Sequence, residues 1–440
     1  LSMIISHKIE LIPNNKAKTH FRQAFGCARL AYNWGLARWQ EYHKQGVKKS
    51  YLDLKKEFNS IKKEQFPFVY EVSKYATQQP FLNLHEAFKK FFRDLKQGKV
   101  SYPKFKKKRL NYGSYYIGGD QVVLTNKPKV SKKINIQSKE HIYLKGPNLG
   151  FVKMREPLRF NGKINSITIS QNANKFYASF SIEISQEEYT KTHKKTNQSH
   201  SIQGVGIDIG LKSFVSLSNG LSIKAPKPLS KLTRLLIKRS RQLSKKQHPK
   251  TKGEALKGIK KSANYIKATM RLNKVHKKIA NIRNDFLHKL SSDIVRNHHY
   301  IAIEDLNTKG MMKNHRLAKS LSDVSFYEFR RMLEYKANYN NKHIIYADRF
   351  YPSSKTCSIC GNIKEDLTLK DRVYVCNACG LEIDRDYNAS LNLYSLIEKQ
   401  IGIVLPESTP ADLTALLDDL AISHIITSKV ETGMQQKSCL

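Results

Sequence analysis

The residues best suited to chemistry here are four cysteines and a set of acids placed far apart. Cys357-Ser-Ile-Cys360 is followed, after fifteen residues, by Cys376-Asn-Ala-Cys379. Two CxxC knuckles at that spacing present four thiolates in a tetrahedral array. A glycine follows each pair, Gly361 and Gly380, where the knuckle backbone must turn. Four sulfurs close the coordination shell and leave substrate no open position, so the expectation is a structural Zn2+ site. The alternative, a redox-active pair, lacks the thioredoxin-like βαβ context it would need.

The acids are Asp208 in Gly206-Ile-Asp208-Ile-Gly210, Glu304 in Ile301-Ala-Ile-Glu304-Asp305, and Asp384 and Asp386 just after the cysteines. Burying an unpaired carboxylate costs several kcal/mol, so an acid on an apolar strand needs a reason. Structural reasons exist: Asp208 could end a strand, Glu304 could pair with a buried arginine, and Asp384 or Asp386 could cap a helix. Together they suit phosphodiester hydrolysis. Three converging carboxylates can hold two Mg2+ ions about 4 Å apart, one activating water and one stabilising the leaving oxygen. Hard oxygen donors favour Mg2+ or Mn2+ over zinc.

The composition sets the partner class. The chain has 440 residues and a formal charge of +42. That much self-repulsion calls for a polyanion, and nucleic acid fits best. A membrane partner is not expected, because no apolar run approaches spanning length. Apart from the CxxC pairs, Cys27 and Cys439 have no evident mates. The expectation is a reducing, cytoplasmic setting beside the nucleoid.

The elements that must position these residues are read from periodicity. Residues 4–12 alternate as a strand. Phe21, Phe25, Ala28, Tyr32, Leu36 and Trp39 form one apolar helical face, and further helices are expected up to about residue 98. Tyr102-Pro-Lys-Phe105 and the basic run to Arg109 suit a phosphate backbone with stacked bases. Short alternating strands over 114–184 suggest an antiparallel barrel or sandwich. Val205–Ile209 is a strand, with a hairpin at Asn219-Gly220. Residues 224–289 carry many lysines and arginines against only Glu254 and Asp285, and read as two long helices around a basic loop. A second acid-bearing strand ends at Glu304, a helix covers 326–339, a strand follows at 342–347, and Asp384 caps a last helix from Arg385. From 401 the composition turns acidic and reads as a poorly ordered tail.

Gly206-Ile-Asp208-Ile-Gly210, Ile303-Glu304-Asp305-Leu-Asn307, Ser325-Phe-Tyr-Glu-Phe329, Met332-Leu-Glu-Tyr-Lys336, Ser353-Ser-Lys-Thr-Cys357 and Asp384-Arg-Asp386-Tyr-Asn388-Ala389 occur in that order. The set resembles the TnpB (OrfB) family, transposon-encoded RNA-guided nucleases with a RuvC-like domain, related to type V CRISPR effectors. Over the first 200 residues the resemblance is looser, resting on the opening strand, Ala31-Tyr-Asn-Trp-Gly-Leu36 and Tyr102-Pro-Lys-Phe105. It implies an α+β multidomain chain: a wedge-like β-barrel (1–14 and 100–190), a helical recognition domain (15–99), a linker (191–204), and an RNase H-like RuvC nuclease domain (205–355 and 381–400). A four-cysteine zinc ribbon (356–380) interrupts the nuclease, and the tail (401–440) has no counterpart.

By the same resemblance Asp208, Glu304 and Asp386 are the catalytic, magnesium-binding acids, with Asp384 ranked below Asp386 as the helix cap. The implied activity is Mg2+-dependent cleavage of double-stranded target DNA beside a short motif, guided by an RNA derived from the transposon end. No His-Asn-His nuclease insertion lies between the acids, and His298-His299 lacks its context. A nuclease-inactive RNA-guided regulator and a strand-transferring transposase are the alternatives.

Overall fold

The computed structural model describes residues 2–108, 111–126, 142–192, 204–246, 262–368 and 370–402, and the backbone of 426–429. Most of the expected linker, most of the basic loop around 245–261 and most of the tail therefore lie outside the described residues. The chain divides into two compact units, residues 1–196 with 261–270, and residues 197–260 with 271–440.

In the first unit, β1 (Ser2–Ile12) leads into α1 (Asn15–Lys44), α2 (Tyr51–Gln65) and α3 (Lys74–Leu95). Asn14 caps α1 by accepting from the Ala17 amide at 2.8 Å. Alternate β1 side chains, Ile5, His7, Ile9 and Leu11, are buried, the period of a half-buried strand. Then follow β2 (Tyr112–Gly118), β3 (Val123–Thr125), β4 (Tyr143–Gly146), β5 (Leu149–Met154), β6 (Lys163–Asn172), β7 (Lys175–Ser185) and the short α4 (Gln186–Thr192). The strands form one antiparallel sheet in the order β2-β6-β7-β1-β5-β4-β3. Phe21, Phe25 and Tyr32 of α1 are buried, so these aromatics serve the core rather than a base stack.

The second unit is a mixed α/β layer. Its strands are β8 (Gly204–Ile209), β9 (Val215–Leu217) and β10 (Leu221–Ile223), and its first helices are α5 (Pro228–Ser244) and α6 (Ala263–Asn297), the latter beginning within the first unit's residues. Next come β11 (Tyr300–Glu304), α7 (Thr308–Met311), α8 (His315–Val324), α9 (Phe326–Tyr339), β12 (His343–Ala347), the small hairpin β13 (Val373–Val375) and β14 (Glu382–Asp384), α10 (Arg385–Ile401) and β15 (Ile426–Lys429). The six-stranded sheet runs β12-β11-β8-β9-β10-β15, with β11 parallel to both β8 and β12. At the β9–β10 turn Gly220 has φ +83°, the left-handed conformation glycine adopts freely. β15 corrects the tail expectation over four residues, since Ile426–Lys429 pairs antiparallel with β10. An edge strand's free amides and carbonyls can take up such a segment.

Side-chain alternation sorts the strands onto two faces. Val205, Ile207 and Ile209 of β8 and Ile301 and Ile303 of β11 join Phe286, Leu290 and Ile294 of α6 and Phe329 and Leu333 of α9. Ala302 faces the other way, packing with Leu393, Tyr394 and Ile397 of α10. By the two-residue period, Gly206, Asp208 and Glu304 share that α10 face.

Candidate active site

The parallel register sets Ile207 beside Ile303, which brings Asp208 and Glu304 to the same end of adjacent strands. The helix that crosses them comes unusually close. A Cβ on Gly206 would lie 2.0 Å from the Ser390 carbonyl oxygen and 2.5 Å from the Tyr394 nitrogen. Only glycine lets α10 rest its backbone against β8. That approach carries the first turn of α10, and Asp386 with it, to the acids.

Asp384 and Asp386 do different things. Asp384 is the N-cap: its Oδ1 accepts from the amides of Asp386 at 2.9 Å and Tyr387 at 3.0 Å. Asp386 pairs with Arg385 at 3.0 Å. Glu304 and Asp305, adjacent in sequence, also diverge. The Asp305 carboxylate is held by Arg330 and, at 2.8 Å, by Arg349, and those bonds draw its pKa down. Glu304 instead accepts a hydrogen bond from the Ser353 hydroxyl.

Burial pushes the Asp208 carboxyl well above the usual carboxylate range, and the charges of Glu304 and Asp386 push it further, against a smaller opposing effect of Arg385. Burial also raises Glu304, and the Ser353 hydroxyl partly offsets this. Among the described residues the carboxylates of Glu304, Asp386 and Asp384 act on Asp208 against the opposing charge of Arg385. That is the setting in which a divalent cation with hard oxygen preference fits.

The four cysteines form a separate, complete donor set. Their sulfurs all lie within 4.8 Å of one another, with Cys357 to Cys379 at 3.6 Å and Cys360 to Cys376 at 3.5 Å. The two knuckles repeat one another. The Gly361 amide donates to the Cys357 carbonyl and the Gly380 amide to the Cys376 carbonyl, each at 3.0 Å, and the glycines have φ +74° and +73°. Fully buried Tyr374 packs beneath them with Leu367, Leu381 and Ile383. Four sulfurs so gathered fit a tetrahedral zinc ion.

Periodicity did not reveal the residues that join the clip to the acids. Asn388 and Asn392 lie one turn apart on α10 and are buried. Asn388 Nδ2 donates to the Thr356 carbonyl at 2.7 Å, and its Oδ1 accepts from the Ser358 amide at 3.0 Å. Asn392 Nδ2 donates to the carbonyls of Ser353 at 2.8 Å and Thr356 at 2.6 Å. The available signals were the place of Asn388 in the Asp384-to-Ala389 motif and a second asparagine four residues on, among apolar residues of one helix.

Other sequence candidates fall into place. His298 is a core residue, its ring nitrogen 2.9 Å from the Ile294 carbonyl and its pKa lowered by burial to about 4. In the first unit, Tyr102 packs edge-on against Phe88 and Phe91 and so is unsuited to base stacking. Phe105 is exposed and, with Arg29, Lys104, Lys106 and Lys107, lines a cavity of about 950 Å³. Among the described residues, no helix is long and apolar enough to cross a membrane.

Three family models match: "Probable transposase" over residues 179–315, "Cas12f1-like, TNB domain" over 326–393, and "Helix-turn-helix domain" over 3–48. A Streptomyces pristinaespiralis protein named "Putative RNA-guided DNA endonuclease" is 30% identical over 396 residues, covering 88% of this chain and 87% of the relative. The chain belongs to the TnpB (OrfB) family. A second member, "Putative RNA-guided DNA endonuclease InsQ" of Escherichia coli K12, is 27% identical across 88% of this chain and 90% of its own length. A solved mini-RNA-guided endonuclease, CRISPR-Cas_phi3, aligns over 93% of the chain and 94% of its own at 10% identity and a TM-score of 0.48. In this TnpB-family chain the segment matched as helix-turn-helix is a strand and one 30-residue helix, β1 and α1.

Proposed function

We propose that this chain is an RNA-guided DNA endonuclease whose catalytic acids are Asp208, Glu304 and Asp386. The observation that carries the reading is that two partly buried carboxylates end adjacent parallel strands beside a third at the N-terminus of α10, and the charges of Glu304 and Asp386 raise the pKa of Asp208. These acids would hold Mg2+ or Mn2+, which when bound supplies an activated water and stabilises the leaving oxygen. Asp208 and Glu304 would hold that cation from the ends of two adjacent strands, with the Ser353 hydroxyl on Glu304. Arg385 restrains Asp386 through their ion pair. Cys357, Cys360, Cys376 and Cys379 would hold a structural zinc ion.

The first unit is read as wedge and recognition regions, and the second as an RNase H-like nuclease domain with the zinc ribbon inserted. The partners proposed are a guide RNA made from the transposon end and double-stranded target DNA. Family membership supports this, as does the formal charge of +42.

The test is to express the protein with its native flanking DNA, sequence the RNA that co-purifies, and offer the matching DNA with Mg2+. Discrete RNA from beside the gene and cleavage by wild type but not Asp208→Ala are expected. Bulk cellular RNA, or equal cutting by the variant, would defeat the reading. The description "Probable transposase" for 179–315 keeps strand transfer as a second reading, which joined DNA products would favour.

A further inference from the structure

Glu304 reaches its position at the end of β11 with one hydroxyl partner, Ser353. Ser353 is 3% exposed and sits on no strand or helix, so something other than a regular ladder must hold it. Its carbonyl is held by Asn392, and the same amide group of Asn392 reaches the Thr356 carbonyl. Asn388 binds the Thr356 carbonyl a second time and receives the Ser358 amide. The stretch from Ser353 to Ser358 is thus fastened at three points to one face of α10. Cys357, the first sulfur of the clip, lies inside it.

Buried side-chain amides are costly unless satisfied. Here both asparagines bind backbone that a helix or sheet would otherwise have paired. The same helix carries Asp386 on its first turn, so one rigid element references both the third acid and the hydroxyl on the second. We propose that Ser353 is a positioning residue for Glu304, set in place by Asn388 and Asn392 on the short stretch that also bears the first zinc ligand. The inference rests on the carboxylate reading above. It assigns Ser353 no contact with substrate; the residue fixes where a carboxylate oxygen points.

The experiment titrates the purified guide-bound complex with Mn2+, followed by electron paramagnetic resonance. The Asp208→Ala complex with the same RNA supplies the background. Ser353→Ala keeps the carbonyl that Asn392 holds and removes only the hydroxyl. It should weaken the Asp208-dependent Mn2+ binding by about 10-fold, the scale of a lost partner behind a metal ligand. The Mg2+ needed for half-maximal cutting should rise with it, and Ser353→Thr should restore both, while RNA binding and zinc content stay at wild-type values. Asn392→Asp, which can no longer donate to the two carbonyls, should shift Mn2+ affinity the same way, with the double variant weaker by less than the product of the singles. Unchanged Mn2+ affinity in Ser353→Ala overturns the positioning role, and independent effects of the two variants overturn the link to Asn392. Where Asn392→Asp fails to fold, the Ser353→Ala and Ser353→Thr pair decides. Equal Mn2+ binding by wild type and Asp208→Ala is a different result: it removes the carboxylate site itself, and this inference with it.

Discussion

The cysteine clip and the carboxylate site lie in the same unit and are both suited to metal, yet they are assembled in opposite ways. The clip comes from residues within 22 positions of one another, and two tight turns place its sulfurs within 4.8 Å. The acids come from positions 208, 304 and 386, and among the described residues they form no comparable set. Thiols can stay neutral and approach one another. Carboxylates at close range repel until one takes a proton or a cation intervenes. The clip is thus a locally encoded cluster, whereas the acids are brought together only by the packing of β8, β11 and α10.

Replacement of one member of each site contrasts them most sharply. Asp208→Ala should lower cutting by roughly 10^4-fold, the scale on which a catalytic unit loses a member, with zinc content preserved and the melting temperature not lowered. Cys376→Ser should do the reverse in order: zinc is lost first, and melting temperature and cutting fall as a consequence. Metal analysis with differential scanning fluorimetry separates the two, and an Asp208→Ala protein that lost zinc would erase the distinction.

Gly206→Ala attacks the enforcement rather than either site. With backbone 2.0 Å from the new Cβ, α10 must move, at about 1–3 kcal/mol of stability, and cutting should fall further than the lost folded fraction explains. Equal losses would mean that α10 does not set the acid geometry.

The pH dependence follows from the raised pKa values of Asp208 and Glu304. Protons compete with the cation, so Mn2+ affinity and cutting should rise from acidic toward neutral pH and level off once Asp208 ionises. Without divalent metal the sign for stability is the opposite. The folded state holds these protons more tightly than the unfolded chain, so their contribution is present at low pH. It is lost as pH rises from the unfolded carboxylate range through the folded values. Melting curves with and without Mn2+ across that range check both signs.

Asp384→Ala should have the smallest effect. Loss of the cap costs about 1 kcal/mol, with cutting retained within a few-fold in a single-turnover assay, because Asp384 serves the two amides of α10. A loss as deep as that expected of Asp386→Ala would reverse the ranking of the two aspartates.

Legibility followed the distance over which a feature is determined. The alternation of β1, the apolar face of α1, the Asn219-Gly220 hairpin and the Asp384 cap are nearest-neighbour effects, and the structure places each where its pattern lies. Tyr102 was ambiguous, because an aromatic beside lysines reads alike whether it stacks on a base or packs edge-on against Phe88 and Phe91. Ser353 and Asn388 stood in motifs that marked the family but gave no hint of what they bind, and Asn392 left almost no trace, since polar residues with distant backbone partners follow no period.

What the sequence alone determined is the clip's spacing, the excess positive charge and which acids sit on apolar strands. Each depends on residue type and short separations. Only the tertiary structure decided that Glu304 rather than Asp305 shares a face with Asp208, and that Asp386 comes near enough to act on the charge of Asp208. It also decided that a glycine on β8 and two asparagines on α10 hold that face together. The parallel register of β8 and β11 and the close approach of α10 fix those outcomes, and both arise from packing between segments that the chain itself keeps far apart.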